Sequence, residues 1–364
     1  MSPAEFLPVE PGCRVLDLCA APGGKSTRLA ERLRGEGFLL ANDASASRAK
    51  ALLKNLEVFG AGNIFVTAEL PESLSVHYPE GFDRILVDAP CSGEGMFRKS
   101  PALMKAWEEK GPEFYAPLQR RILAEAVKML APGGYLLYST CTFSRMEDEE
   151  NAQWLLDGHP ELETIPLTEA GPDTTGFVFT EIGARLLPHC LKGEGHFLCL
   201  FRKKDETAAP ERREKPGKAQ TQARRKLRDV PDFFGEIGAE FDPQRFYQNG
   251  GSWYYLPEGG DVKPGLRYLR TGLYLGEEKK GRFEPSQSLA MWMRPEQFPN
   301  RIVLNPADDR VIRYLKGETI DGTGAEMTGG DGWCLVCMGE FPLGFARRKG
   351  TQLKNKYHSG WRWQ

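Results

Sequence analysis

The sequence predicts an α/β protein, a doubly wound and mainly parallel sheet followed by smaller β-rich modules. Three observations predict it. Apolar, strand-like runs alternate with helical stretches from residue 14 to about 203. Polar and turn-forming residues recur just past the ends of those strands. A stretch rich in Lys, Arg, Pro, Gln and Ala, 204–230, lacks apolar periodicity and separates this region from an aromatic-rich remainder, so it reads as a basic linker.

The elements follow in order. "RVLDLCA" is a buried strand by its apolar run, and "KSTRLAERLR" follows as a helix whose first turn is Lys25-Ser26-Thr27. "GFLLAND" is the second strand. "SASRAKALLKNLEVFG" is a helix with a serine cap at its start and Gly60 at its close. "NIFVTAE", "FDRILVDAP" and "GGYLLYSTC" are three more strands, and the long helix in "EFYAPLQRRILAEAVKMLAPGG" precedes the last. "GEGHFLCLFRK" joins the sheet before the linker. Such sheets bind ligands beyond the carboxyl ends of their strands. Those ends carry Cys19 to Gly24, Asn42-Asp43, Asp88-Ala-Pro-Cys91 and Ser139-Thr-Cys141, so the unusual polar residues converge on one rim.

The first turn, "CAAPGGKS", nearly spells a phosphate loop, but Cys19 stands where its first glycine is required. The dinucleotide pattern of three spaced glycines is absent as well. Asp43, at the end of the second strand, suits the two hydroxyls of a ribose better than it suits a cap for the next helix. A ligand with adenosine and ribose but no pyrophosphate fits this turn, and S-adenosylmethionine is such a ligand. The two cysteines then acquire a chemistry. The C5 of cytosine is too weak a nucleophile to take a methyl group directly. A thiolate that adds to C6 converts the ring into an enamine-like species whose C5 can attack the methyl. Asp88 is a candidate for the carboxyl group beside the ring, and a second thiol could assist release. Free cysteines are commonly core residues. These two lie in turns at strand ends, which favours the functional reading without saying which is the nucleophile.

"DLCAAPGGKS", "LVDAPCSGEG" and "YSTCTFSRMEDEEN" resemble the signature segments of the Sun-type (NOL/NOP/Sun) RNA cytosine-C5 methyltransferases. The last third, with "PSQSLAM", "RYLKGETI", "GWCLVCMGEFPLGFARRKG" and "QLKN", resembles the RsmF branch, which methylates small-subunit (16S) ribosomal RNA. The resemblance implies a Rossmann-like methyltransferase domain using S-adenosylmethionine. In it Cys141 would attack C6, Cys91 would promote release, and Asp88 would contact both cytosine and donor. Cys19, Ala20, Ala21, Pro22, Gly23, Gly24 and Lys25 would form the donor loop, Asp43 would hold the ribose, and Glu69 is offered to the adenine. Family members carry an N-terminal RNA-facing region, and Met1 stands at about the junction where it would end, so weakened RNA docking is expected.

By the same resemblance the domains are a catalytic domain at 1–203, the linker, an intermediate module at 231–293 and a PUA-like RNA-binding domain at 294–364. The C-terminal stretch mixes basic residues with Phe345, Tyr357, Trp361 and Trp363, as a surface that stacks bases would, or as a packed aromatic terminus would. Lys25, Arg347, Arg348, Lys349, Lys354 and Lys356 are the candidate RNA contacts. Cys334 and Cys337 form a lone CxxC without a second ligand pair, and the five histidines are scattered, so no metal is expected. No apolar run reaches the ~18 residues of a membrane span, no basic-then-apolar leader opens the chain, and the eight cysteines are dispersed. These features predict a cytoplasmic, monomeric protein with reduced thiols. The competing classes are a tRNA or DNA cytosine-C5 methyltransferase, the latter with Cys91 as nucleophile, a phosphate-loop ATPase, and a noncatalytic RNA-binding or ribosome-assembly protein.

Overall fold

The computed structural model describes residues 2–205 and 232–364; the predicted linker lies almost wholly outside the described residues. The chain divides into two compact units, one comprising Met1–Asn55, Asn63–Lys215 and Lys263–Leu269, the other Leu56–Gly62, Pro216–Val262 and Arg270–Gln364.

In the first unit the chain runs α1 (Ser2–Phe6), β1 (Arg14–Asp17), α2 (Gly24–Leu33), β2 (Phe38–Asn42), α3 (Ala46–Val58), β3 (Ile64–Thr67), α4 (Pro71–His77), β4 (Phe82–Asp88), α5 (Ala102–Glu109), α6 (Pro112–Met129), β5 (Leu130–Thr140) and α7 (Glu149–Gly158). The short strands β6 (Leu162–Thr164), β7 (Phe177–Phe179) and β8 (Ala184–Leu186) precede β9 (His196–Lys203). The strands β3-β2-β1-β4-β5 pair in parallel, and β9 then adds antiparallel to β5. All five residues of β2 are buried, as expected for a parallel strand covered on both faces. Leu16, Leu39, Leu40, Ile85, Leu86, Leu136 and Leu137 form the sheet's dry interior, and Phe38 stacks tilted against both Phe65 and Phe82. Strand order reverses between β1 and β4, so the crevice where an open sheet takes its ligand lies beyond Asp17 and Asp88.

The second unit holds a four-stranded antiparallel sheet, Phe246–Asn249, Ser252–Tyr255, Leu273–Lys279 and Arg282–Pro285, and a six-stranded sheet around Gly332–Met338 and Phe341–Lys349. The stretches 231–293 and 294–364 share one core here. Phe234, Trp253, Leu275 and Leu289 pack with Phe298, Leu335, Cys337 and Phe345.

Candidate active site

The donor turn is shaped by its backbone. Gly23 precedes α2 with φ of +113°, and a Cβ there would approach Leu52 to 3.1 Å, so glycine is required on both counts. Ala20 N donates to Asn42 O at 2.8 Å, Arg48 to Ala21 O at 2.8 Å and Asn55 to Pro22 O at 2.7 Å, tying the turn to β2 and α3. Beneath it Ser26 Oγ donates to Asp17 Oδ2 at 2.6 Å, while Asp17 Oδ1 is buried with no partner. Burial pushes this carboxyl up to about 7.

Two cavities, of about 260 and 240 Å³, share Cys19, Arg48 and Pro90 in their walls. The first is lined by Asn42 and Asp43 together with the apolar Leu70, Pro71, Leu118 and Ile122. Asp43 Oδ1 accepts from Ser45 N at 3.0 Å, and Oδ2 lies 3.4 Å from Arg48. A carboxylate among apolar side chains suits a ribose and an adenine, and the orphaned Asp17 oxygen beneath the turn suits a cationic ligand group. These residues therefore fit S-adenosylmethionine.

The second cavity brings together Asp88, Cys91 and Cys141. The two sulfurs are 3.2 Å apart as free thiols, and Cys141 N donates to Cys91 Sγ at 3.3 Å. The hydrogen bond from Cys91, helped by nearby Lys25 and opposed by burial, lowers the Cys141 thiol below its ordinary range. The same hydrogen bond and burial hold Cys91 well above it. Asp88 is held at both oxygens, by Lys25 Nζ at 2.6 Å and Ser139 Oγ at 2.6 Å. Burial works against the Lys25 charge, but Asp88 outweighs it and raises the lysine.

The closeness of two cysteines 50 residues apart has a cause that sequence reasoning missed. Ser92 Oγ and Thr142 Oγ1, the residues following each cysteine, are hydrogen-bonded at 2.8 Å, so the two turns run side by side. Fully buried Glu147 accepts from Ser92 N at 3.0 Å, Ser92 Oγ at 2.5 Å and Gln119 Nε2 at 2.8 Å. Gln119 also donates to Pro90 O at 2.9 Å, so the Cys91 turn is gripped on both sides of the thiol. Glu94 accepts from Thr142 Oγ1 and Phe143 N, at 3.1 and 3.0 Å, just past Cys141. Acidic residues in "MEDEEN" look like a solvated helix start. Only the unusual run of acids before an apolar helix could have flagged Glu147.

Other candidates fall elsewhere. Glu69 is not in the wall of the adenine-side cavity. Its carboxylate accepts from Arg267 N at 2.7 Å and pairs with the Arg267 side chain at 3.3 Å, because residues 263–269 return to this unit beside β3. Leu70, Pro71 and Glu72 line the cavity instead. Lys25, offered to RNA, is engaged with Asp88. Arg348 is spent on the fold, donating to Thr328 O and Gly350 O. Arg347 stacks over the Trp333 ring at 4.0 Å, with Lys356 at 5.9 Å, while Lys349 and Lys354 are exposed. Phe345 and Trp361 are buried, and Tyr357 packs on Tyr314, so these aromatics are a packed terminus; Trp363 is exposed. Cys334 and Cys337 point into different cores, one with Val336 and Ala346, the other with Leu335 and Phe345, so they cannot share an ion.

A sheet reversing between β1 and β4, a glycine turn beside a cavity lined by the Asp43 carboxylate, and an adjoining cavity with paired thiols fit a Rossmann-like methyltransferase that uses S-adenosylmethionine. Residues 4–202 match the family 16S rRNA methyltransferase RsmB/F, 232–293 the RsmF rRNA methyltransferase first C-terminal domain, and 301–363 the methyltransferase RsmF PUA domain. The chain is 32% identical over 350 residues to ribosomal RNA small subunit methyltransferase F of Escherichia coli O9:H4 (strain HS), and 31% identical to that of Shigella boydii serotype 18 (strain CDC 3083-94 / BS512). Each alignment covers 94% of this chain and 72% of the relative. The crystal structure of PH0851 superposes with a TM-score of 0.52 at 33% identity, over 56% of this chain and 45% of that one. The chain belongs to the 16S rRNA methyltransferase RsmB/F family, and its reaction is S-adenosylmethionine-dependent C5 methylation of cytosine in ribosomal RNA.

Proposed function

We propose that this methylation proceeds through a covalent bond between Cys141 and C6 of the target cytosine, in the cavity lined by Asp88, Cys91 and Cys141. The observation that carries the reading is the wall shared by the two cavities, since the residues of one fit a methyl donor and the other holds the thiol pair. S-adenosylmethionine, when bound, supplies an electrophilic methyl group and leaves as the thioether. Asp43 would hold the ribose, and the buried, unpartnered Asp17 Oδ1 beneath the turn would attract the donor's positive charge.

The hydrogen bond from Cys91 and the Lys25 charge ease loss of the Cys141 proton, against burial and the Asp88 charge, and the thiolate so formed is the attacking group. Attack at C6 pushes the ring electrons toward N3, where Asp88 and Lys25, joined at 2.6 Å, supply a hydrogen bond or proton. C5 then takes the methyl group. Transfer of the C5 proton to a water molecule acting as base re-forms the C5–C6 double bond and expels the Cys141 sulfur. Cys91, 3.2 Å away and held as the thiol, hands its proton to that leaving sulfur. Lys349, Lys354 and the stacked Arg347 offer cations to the RNA backbone on the second unit. The same reading implies action in the cytoplasm, where thiols stay reduced.

The test is Cys91→Ala, saturated with S-adenosylmethionine and mixed with unmodified small-subunit rRNA. A denaturation-resistant protein–RNA band is expected, and it disappears when Cys141 is also replaced. Donor binding without a band would sink the covalent reading.

A further inference from the structure

We propose that α5 and the turn into α6, residues 98–115, form the surface that seats the nucleotides flanking the target cytosine, and that Glu94 holds this surface in register with Cys141. The inference rests on the covalent reading above and adds to it a specificity surface on the first unit.

The helix α5 has eight residues and no buried side chain. A helix so short is marginal in water unless something packs on it. Its inner stripe, Leu103, Ala106 and Lys110 at helical spacing, lines the cavity that holds the two cysteines, together with Tyr115. The adjoining stripe leaves Met104 47% and Trp107 37% exposed, and Phe114 just beyond is 49% exposed. Large apolar side chains clustered at the mouth of a site mark a contact surface. The segment carries Lys99, Lys105 and Lys110 among Glu108, Glu109 and Glu113; Lys110 lies over the Phe114 ring at 4.7 Å, and Arg98 pairs with Glu194 at 3.1 Å.

The chemistry of the substrate names the occupant. A cytosine reaches a thiol at the bottom of a cavity only if it leaves the stack of its neighbours, which are then left with bare faces. Aromatic side chains beside the cavity mouth replace the lost stacking, and the lysines meet the phosphates on either side. A single carboxylate joins this surface to the nucleophile. Glu94 Oε1 accepts from Trp107 Nε1 at 3.0 Å, and Oε2 accepts from Thr142 Oγ1 and Phe143 N at 3.1 and 3.0 Å. Gly95 N adds a bond to Cys141 O at 2.9 Å. Glu94 is thus a positioning residue: where α5 sits determines where the Cys141 turn sits.

The experiment uses the full chain carrying Cys91→Ala, with small-subunit rRNA transcribed to contain sparse 4-thiouridine. After covalent capture the complex is irradiated, trimmed with nuclease, and the cross-linked peptides are mapped. Cross-links within 98–115 are expected. Capture with cross-links confined to other segments overturns the inference while leaving the covalent reading intact; absence of capture removes the reading and the inference together. In chains with native cysteines, Met104→Ala/Phe114→Ala is expected to raise KM for rRNA by about 5- to 100-fold, the loss of one stacked base, with donor affinity unchanged. An unchanged KM overturns the surface. Glu94→Gln is expected to slow capture with donor affinity and melting temperature preserved; an unaltered capture rate overturns its positioning role.

Discussion

Two cysteine pairs in this chain invert the usual expectation about spacing. Cys334 and Cys337 are neighbours in sequence and yet serve separate cores, because residues three apart along the strand Gly332–Met338 fall on opposite faces. Cys91 and Cys141 are 50 residues apart and their sulfurs lie 3.2 Å from one another, because adjacent parallel strands end at the same rim. The difference teaches that the sheet's strand ends, and not proximity along the chain, assemble reactive groups here. Burial then fixes the chemistry of each pair. Cys334 and Cys337 are pushed up to about 12 and are inert, whereas Cys141 is lowered by a donor that only the facing turn provides.

The comparison is broken most severely by Cys141→Ala. Turnover on rRNA is expected to fall by about a thousandfold or more, to the level of a site without its nucleophile, measured as methyl incorporation. Cys334→Ala is expected to leave turnover within a few-fold, so equal losses in the two variants would erase the distinction. Next in size is stability. Cys334→Ser buries a hydroxyl in an apolar core and is expected to cost about 1–3 kcal/mol by denaturant melts, whereas Cys91→Ser, at the cavity wall, is expected to cost less.

Reactivity sharpens the contrast further. Alkylation followed across pH by mass spectrometry is expected to modify Cys141 first, with a midpoint below that of an ordinary thiol, and to spare Cys334 and Cys337 until the chain unfolds. Because the hydrogen bond from Cys91 is the largest cause of the lowered value, Cys91→Ala should move the Cys141 midpoint upward. An unmoved midpoint would assign the effect to Lys25 instead. The smallest effect expected is at Asp17. Its carboxyl is raised, so the stability it contributes is complete at pH below about 4 and is lost as pH climbs through about 7. The ligand-free chain should therefore melt several degrees lower at pH 8 than at pH 5, and Asp17→Asn should flatten that slope while weakening donor binding.

Much of this was legible in the sequence, for a physical reason. Alternating strands and helices prescribe a doubly wound sheet, and such a sheet prescribes where its polar strand ends meet, so Cys19, Asp43, Asp88, Cys91 and Cys141 could be grouped without coordinates. The roles of the two cysteines came from family resemblance, because both follow a strand in a polar turn. Glu147 and Glu94 were hidden, since a buried acid and a solvated one look alike in a string of letters. Glu69 misled because its partner, Arg267, stands 198 positions away. The C-terminal aromatics left two readings open, as rings suited to stacking on bases are equally suited to stacking on each other, and the structure packs Phe345, Tyr357 and Trp361.

The side-by-side turns carry one further consequence. Cys91 faces Cys141 as Ser92 faces Thr142, so the pairing depends on both turns keeping their count. Substitutions around them loosen that alignment, but deleting or inserting one residue in either turn slides a hydroxyl to where a sulfur stood. Length, more than identity, is what descent should have guarded in these two short stretches.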